Sequence, residues 1–200
     1  MILTTLPRTF YSRDTVIVAK NLLGKKIIRR IGKHELSGII TETEAYRHKD
    51  DPASHAFRRI TDRNKVMFED VGKAYVYFTY GMHYCFNIVA RNSKFEAGAV
   101  LIRAIMPEKG IEIMEKNRCI KDRKRLTDGP AKVTQALGIT KKHYGLDLTT
   151  SPELFITDGM KIRGKIISSP RIGIKNATDR LWNFKISFSV TFEPRILQIV

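Results

Sequence analysis

Cysteine is nearly missing from this 200-residue chain: Cys85 and Cys119 are the only two. Two thiols cannot by themselves make a structural zinc site, and they offer no disulfide framework, so a reducing, intracellular setting is expected. Acidic residues are scarce as well. Asp and Glu number 20 against 36 Lys and Arg, a formal charge of +16 with an isoelectric point near 10. Such a surplus draws polyanions: nucleic acid first, an anionic membrane surface or an acidic protein second. Binding of this kind weakens steeply with salt, because each phosphate contact releases counterions. No apolar run approaches the roughly 20 residues of a membrane span. The opening Met1-Ile2-Leu3-Thr4-Thr5-Leu6-Pro7-Arg8 lacks the cleavage pattern of a secretory signal. Glutamine occurs only at 135 and 198 beside abundant lysine, a bias also found in proteins of hot habitats. Repeats, linkers and low-complexity stretches are missing too. One domain over residues 1–200 is expected, with 42% hydrophobic content to build its core.

What is present centres on one run, Gly38-Ile39-Ile40-Thr41-Glu42-Thr43-Glu44-Ala45-Tyr46. Its β-branched residues and period of two read as a strand. Alternation places Ile40, Glu42, Glu44 and Tyr46 on one face, and Ile39, Thr41, Thr43 and Ala45 on the other. Two carboxylates and a phenol in a row suit either a solvent-facing strip or a polar site, since buried acids need partners. An acidic strip in so basic a chain turns attention to the site.

Around this run the pattern predicts a helix over residues 10–23, capped by Ser12 or Asp14 and ended by Gly24. A strand follows over 25–31, whose four basic residues suit a solvated edge or a nucleic-acid contact. Residues 47–63 are polar and turn-rich. They carry His55, placed to fold back over the acidic strip, and end in a turn that presents Arg63 to a phosphate. Residues 74–89 read as a hairpin turning at Tyr80-Gly81. Its tip of Tyr80, Met82 and His83 either packs into the same chain or forms a wedge between stacked bases. A strand over 98–105 is interrupted by Arg103, which needs an acidic partner, with Glu44 a candidate. A helix is expected to open over 107–114 and run into the basic stretch 116–125, a solvated face or a phosphate patch. Another runs from Gly129-Pro130 through Leu137 with Lys132 on its first turn, where helix N-termini attract phosphate. Short strands are expected at 154–156, 161–162, 165–167, 171–174 and 184–187. The fold class is α+β, a single compact domain.

Taken together, these motifs resemble the alkyladenine DNA glycosylases, also called methylpurine-DNA or 3-methyladenine DNA glycosylases. The resemblance runs through Ala19-x-x-Leu22-Leu23-Gly24-Lys25, Thr41-Glu42-Thr43-Glu44-Ala45-Tyr46, His55, Arg63-Asn64 and Met67-Phe68. It continues in Tyr75-Val76-Tyr77-x-x-Tyr80-Gly81-Met82, Asn87, Leu101-x-Arg103-Ala104, Gly129-Pro130-x-Lys132 and Arg171-Ile172-Gly173. It implies a mostly antiparallel, curved β-sheet flanked by helices, with the hairpin protruding. It also implies that Glu44 deprotonates a water that attacks C1′ of a flipped nucleotide, with Arg103 helping to hold that water. Tyr46, His55 and Tyr77 would stack around the extruded base, and Asn87 would line the pocket and disfavour the 2-amino group of guanine. Tyr80 would fill the hole left in the duplex, Met82 and His83 would touch the minor groove, and Arg63, Asn64 and Lys132 would meet the DNA backbone. His83 replaces the usual tyrosine and Phe86 a common methionine, both expected near the wedge or pocket wall.

The implied partner is double-stranded DNA carrying damaged purines. No metal, cofactor, membrane or obligate protein partner is expected, and a monomer working where the DNA is. Elementary chemistry agrees. A buried base must be flipped out, a cationic alkylated purine gains from aromatic faces, and a carboxylate can activate water against a sugar that develops positive charge. No lysine stands as an amine nucleophile, so a monofunctional enzyme is expected. The His-x-Glu and Pro-Cys-x-x-Cys signature of zinc deaminases is absent. The β-rich pattern argues against a helix-hairpin-helix glycosylase. A non-catalytic basic nucleic-acid-binding module is the alternative.

Overall fold

Strands rich in Ile, Val and aromatic residues pair into one curved antiparallel sheet in the computed structural model, which describes residues 4–162 and 164–187. The elements in chain order are α1 (Arg8–Tyr11), α2 (Thr15–Leu22), β1 (Lys26–Ile31), β2 (His34–Tyr46), β3 (Ala74–Thr79), β4 (His83–Val89), β5 (Ala99–Lys109), α3 (Ile111–Arg118), α4 (Pro130–Leu137), β6 (Leu154–Thr157), β7 (Lys165–Ser169) and β8 (Asn183–Ser187). The strand order is β3-β4-β5-β2-β1-β6, with β8 joining β2 and β7 joining β8. Strand β2 is the spine: it pairs with β5 along most of its length, with β1 near its start and with β8 at Glu42–Glu44.

The main core lies between the sheet and the helices. Val18, Ala19 and Leu22 of α2 and Val133, Ala136 and Leu137 of α4 pack with Ile27, Ile40, Phe86, Ile88 and Ile102 of the strands, all fully buried. Each of the larger side chains among them, Val, Leu, Ile or Phe, contributes about 1.5–3 kcal/mol by leaving water. A smaller cluster of Ala56, Val66, Met67, Tyr75 and Val89 anchors the turn-rich segment after β2.

Several expectations change in detail. The first helix is two helices, because Asp14 takes an extended ψ of 135° and accepts from the Val16 N–H at 2.9 Å. A residue capping one helix in that conformation cannot also continue another. Strand β5 does not stop at 105; it runs through Pro107 to Lys109, and the helix begins only after Gly110, at φ 70°. Residues 161–162 and 171–174 join no strand. Phe86, expected near the pocket wall, is fully buried in the main core, facing away from the residues at 85 and 87.

The alternation of β2 also breaks, and the break is what builds the site. Ile40 pairs with Ile105 and Glu42 with Ala104, so Thr41 is an extra residue; Thr43 then pairs with Ile102, so Arg103 is extra on β5. The second bulge cancels the register offset of the first. Between them the faces exchange. Ile40 points into the helix-covered core together with Ala45, not with Glu44 as strict alternation would have it, and Ile105 and Ile102 likewise share that core. Bulges re-aim side chains next to functional sites, and here they turn Arg103 toward the two acids.

Candidate active site

The open face of the sheet carries a cavity of about 390 Å³, lined among others by Glu44, Tyr46, His55, Tyr77, Asn87 and Arg103. Those six are the residues proposed above for catalysis and base binding, and they come from β2, the 47–57 loop, β3, β4 and β5. The acids do not form a solvated strip: Glu44 is completely buried and Glu42 is 8% exposed.

Glu44 sits at the floor with both oxygens engaged. Oε1 accepts from the Ile172 N–H at 2.7 Å and from Asn183 Nδ2 at 3.1 Å. Oε2 accepts from the Tyr46 hydroxyl at 2.8 Å and lies 3.4 Å from Arg103 Nη1. The nearer partner of Arg103 is Glu42, whose Oε1 accepts from Nε at 3.0 Å and also from Asn183 Nδ2 at 2.8 Å. A carboxylate fixed this way has one orientation, at the cost of removing two acids from water, which only a surrounding set of donors offsets.

The aromatic side chains of the walls are uncharged near neutral pH. Burial, reinforced by the neighbouring Glu44 charge, pushes the Tyr46 hydroxyl far above its ordinary range, so it remains a donor. Burial raises Tyr75 and Tyr77 in the same direction. His55 is open to solvent on part of its surface, yet the walls crowding its ring, and then the Arg63 charge, lower its pKa to about 4. Its Nδ1 lies 2.8 Å from the Tyr75 hydroxyl, and its ring stands edge-on to Tyr77 at 4.7 Å. Asn87 is held by donating from Nδ2 to the Tyr75 carbonyl at 3.0 Å.

Behind Tyr46 lies a buried pair that spacing alone does not reveal. Arg171 and Asp51 are both fully buried, with two hydrogen bonds of 2.6 Å between them. Arg171 also donates to the Ala45 carbonyl at 2.9 Å, and its guanidinium stacks 4.6 Å from the Tyr46 ring centre. Asp51 in turn accepts from the backbone of Arg47 and Ala53. This pair ties the loop that carries His55 to the turn that presents Ile172 to Glu44. In the sequence Asp51 lay unremarked in the polar 47–63 stretch and Arg171 appeared only within a motif; Asn183 carried no signal at all.

The remaining candidates divide between the cavity mouth and the surface. Tyr80 and Met82 stand at the hairpin tip, 86% and 68% exposed. Tyr80 and Gly81 have φ of 52° and 68°, a conformation that costs a non-glycine residue roughly 1–2 kcal/mol. His83 is half-buried just below, opposite Thr79. Arg63 is exposed and stacks 4.8 Å from the Tyr77 ring centre. Asn64, expected at a phosphate, is instead turned inward. It is 2% exposed and donates to the His55 and Arg59 carbonyls while accepting from the Thr61 N–H, because the loop needs those contacts to close. Lys132 is half-buried on the first turn of α4 and pairs with Asp128 at 2.7 Å. In the 116–125 stretch, Lys116, Lys121, Lys124 and Arg125 are exposed, while Arg118 and Arg123 engage Gln135 and Glu115.

Comparison with known proteins places the chain in a family. Residues 9–189 match the sequence model of the methylpurine-DNA glycosylase family. A relative from Carboxydothermus hydrogenoformans is 51% identical over 180 residues, covering 90% of this chain and 93% of its own. One from Prosthecochloris aestuarii is 44% identical, over 90% and 86%, and one from Clostridium perfringens 43% identical, over 90% and 95%. All three bear the provisional name 3-methyladenine DNA glycosylase.

Proposed function

The chain belongs to the methylpurine-DNA glycosylase family, DNA glycosylases of alkylated-base repair, and from that premise we propose that it flips a damaged purine out of duplex DNA and hydrolyses the N-glycosidic bond with a water activated by Glu44. The observation that carries this reading is a fully buried glutamate, fixed at the floor of an aromatic cavity beside an arginine. Water bound between Glu44 and Arg103 attacks C1′. The C1′–N bond breaks with its electron pair passing to the purine, and the proton of the water passes to Glu44. Positive charge developing on the sugar is met by the carboxylate in a site of low dielectric.

Tyr46, His55 and Tyr77 offer faces and edges for the base, and an electron-poor alkylated purine gains on the order of 1 kcal/mol or more from such a face. A neutral His55 adds no charge that would repel a cationic lesion. Tyr80, exposed on a strained turn, enters the duplex as the base leaves it. Arg63, Lys132 and the exposed lysines of 116–125 supply the salt-sensitive hold on phosphates. No amine nucleophile takes part, so the product is an intact strand with an abasic site.

Duplexes carrying 3-methyladenine, 7-methylguanine, ethenoadenine or hypoxanthine are incubated with the protein and freed base is measured. Release from at least one of them, without strand scission and lost in Glu44→Gln, is expected. A Glu44→Gln protein that frees base at the wild-type rate removes the proposed role of Glu44, and a wild type that binds DNA but frees nothing favours a simple binding module.

A further inference from the structure

We propose that Glu42 is a positioning residue for base excision: it competes with Glu44 for Arg103 and Asn183, and thereby keeps the catalytic carboxylate ready to take a proton. The inference rests on Glu44 being the general base. Glu42 itself stands outside the cavity wall, behind Arg103, so it acts on the reaction only through its neighbours.

The distances state the competition. Two donors are shared between the acids, and both sit nearer Glu42: Arg103 at 3.0 against 3.4 Å, and Asn183 at 2.8 against 3.1 Å. The two donors that Glu44 does not share, the Ile172 N–H and the Tyr46 hydroxyl, hold it at 2.7 and 2.8 Å. A carboxylate that receives four full donors, one of them a guanidinium, is stabilised as an anion and becomes a poor base. Glu42 counters that in two ways. It draws the guanidinium and the amide toward itself, and its own charge, on the far side of the same amide, raises the free energy of a second anion nearby. The unshared contacts meanwhile keep Glu44 from turning. Orientation and basicity are thus separated between two sets of donors.

Other charged and titratable groups do not replicate this role. From β2, Tyr46 faces Glu44 as a neutral donor; from β5 there is Arg103; from the 171–174 turn, Arg171 lies behind Tyr46 and is paired with Asp51. The exposed Lys175 and Arg63, with His55, Tyr75, Tyr77, Tyr80 and Cys85, are the other charged or titratable groups lining the cavity. Lys185 of β8, opposite Glu42 in register, is exposed and leaves the acid to Arg103 and Asn183.

The test is the pH dependence of single-turnover base release on whichever lesion duplex the wild type cleaves. In Glu42→Gln the shared donors move to Glu44, so the acid limb should shift down by about one pH unit, the scale of a lost neighbouring charge, and the plateau should fall roughly tenfold. Glu42→Asp, which keeps the charge, should hold the limb near its wild-type position. Affinity for an undamaged duplex should stay constant in both, as a check of folding. A folded Glu42→Gln protein with an unmoved limb overturns the proposal. Should Glu42→Gln not fold, Asn183→Ala decides: removing a shared donor should move the limb upward, and an unmoved limb again overturns it. Failure of the underlying reading shows separately, as base release that survives Glu44→Gln.

Discussion

At the cavity floor both oxygens of Glu44 are engaged and the residue is completely buried, whereas at the hairpin tip Tyr80 and Met82 stand in solvent on a turn with positive φ. The floor draws on β2, β5, β8 and the 171–174 turn; the tip is local, a few residues between two adjacent strands. Proton transfer and charge stabilisation need groups already in place in a low dielectric. A side chain that must enter another molecule needs the opposite, apolar surface that its own chain leaves uncovered. One region is organised by what the protein encloses, the other by what it withholds from its own core.

The comparison can be broken most sharply at the floor. Glu44→Gln should lower single-turnover base release by roughly 10³-fold, within the range of a lost general base, while lesion-duplex binding by gel shift stays near wild type; unchanged release ends the argument. Asp51→Ala should next test whether the floor depends on distant support. It leaves the buried Arg171 guanidinium without its carboxylate, so a loss of about 3–5 kcal/mol in denaturant unfolding is expected, together with slower excision as Ile172 and the His55 loop loosen. Unaltered stability would mean that the pair is not what holds the two segments.

At the tip the expectation is inverted. Tyr80→Ala should leave the melting temperature unchanged, since the side chain is exposed, yet weaken capture of a flipped lesion by about tenfold, the order of one lost stacking contact. Nonspecific, salt-sensitive DNA binding should persist in that variant. A wild-type preference for lesion over undamaged duplex in Tyr80→Ala would remove the wedge. The smallest effect concerns His55, whose pKa is lowered from 6.5 to about 4 by burial and then by Arg63. As pH falls from about 6.5 to 4 the unfolded chain takes up this proton before the native state does, so native stability declines across that window and is complete above it. His55→Gln should flatten that part of the stability-versus-pH curve; an unchanged slope would place the titration elsewhere.

Much of this contrast could be read from the chain alone, and the unread part has one cause. The hairpin and its tip were legible because β-propensity, a glycine in the turn and the adjacent strand are all local. The strand holding Glu44 was legible for the same reason. The face of Ile40 relative to Glu42 and Glu44 was not, because the Thr41 and Arg103 bulges are joint properties of two strands some sixty residues apart. Likewise the split of the first helix at Asp14 and the run of β5 through Pro107 depend on which neighbour satisfies each backbone group.

By itself, then, the sequence determined the basic charge, the α+β pattern, the acid-bearing strand and the exposed aromatic tip, because composition and short-range periodicity carry those directly. Only the tertiary structure decided that Glu42 takes the larger share of Arg103, that Asn183 bridges two acids, and that Arg171 and Asp51 lock the cavity's supports. These contacts join residues far apart in the chain, where the geometry of the curved sheet, not the spacing of letters, sets which donor meets which acceptor.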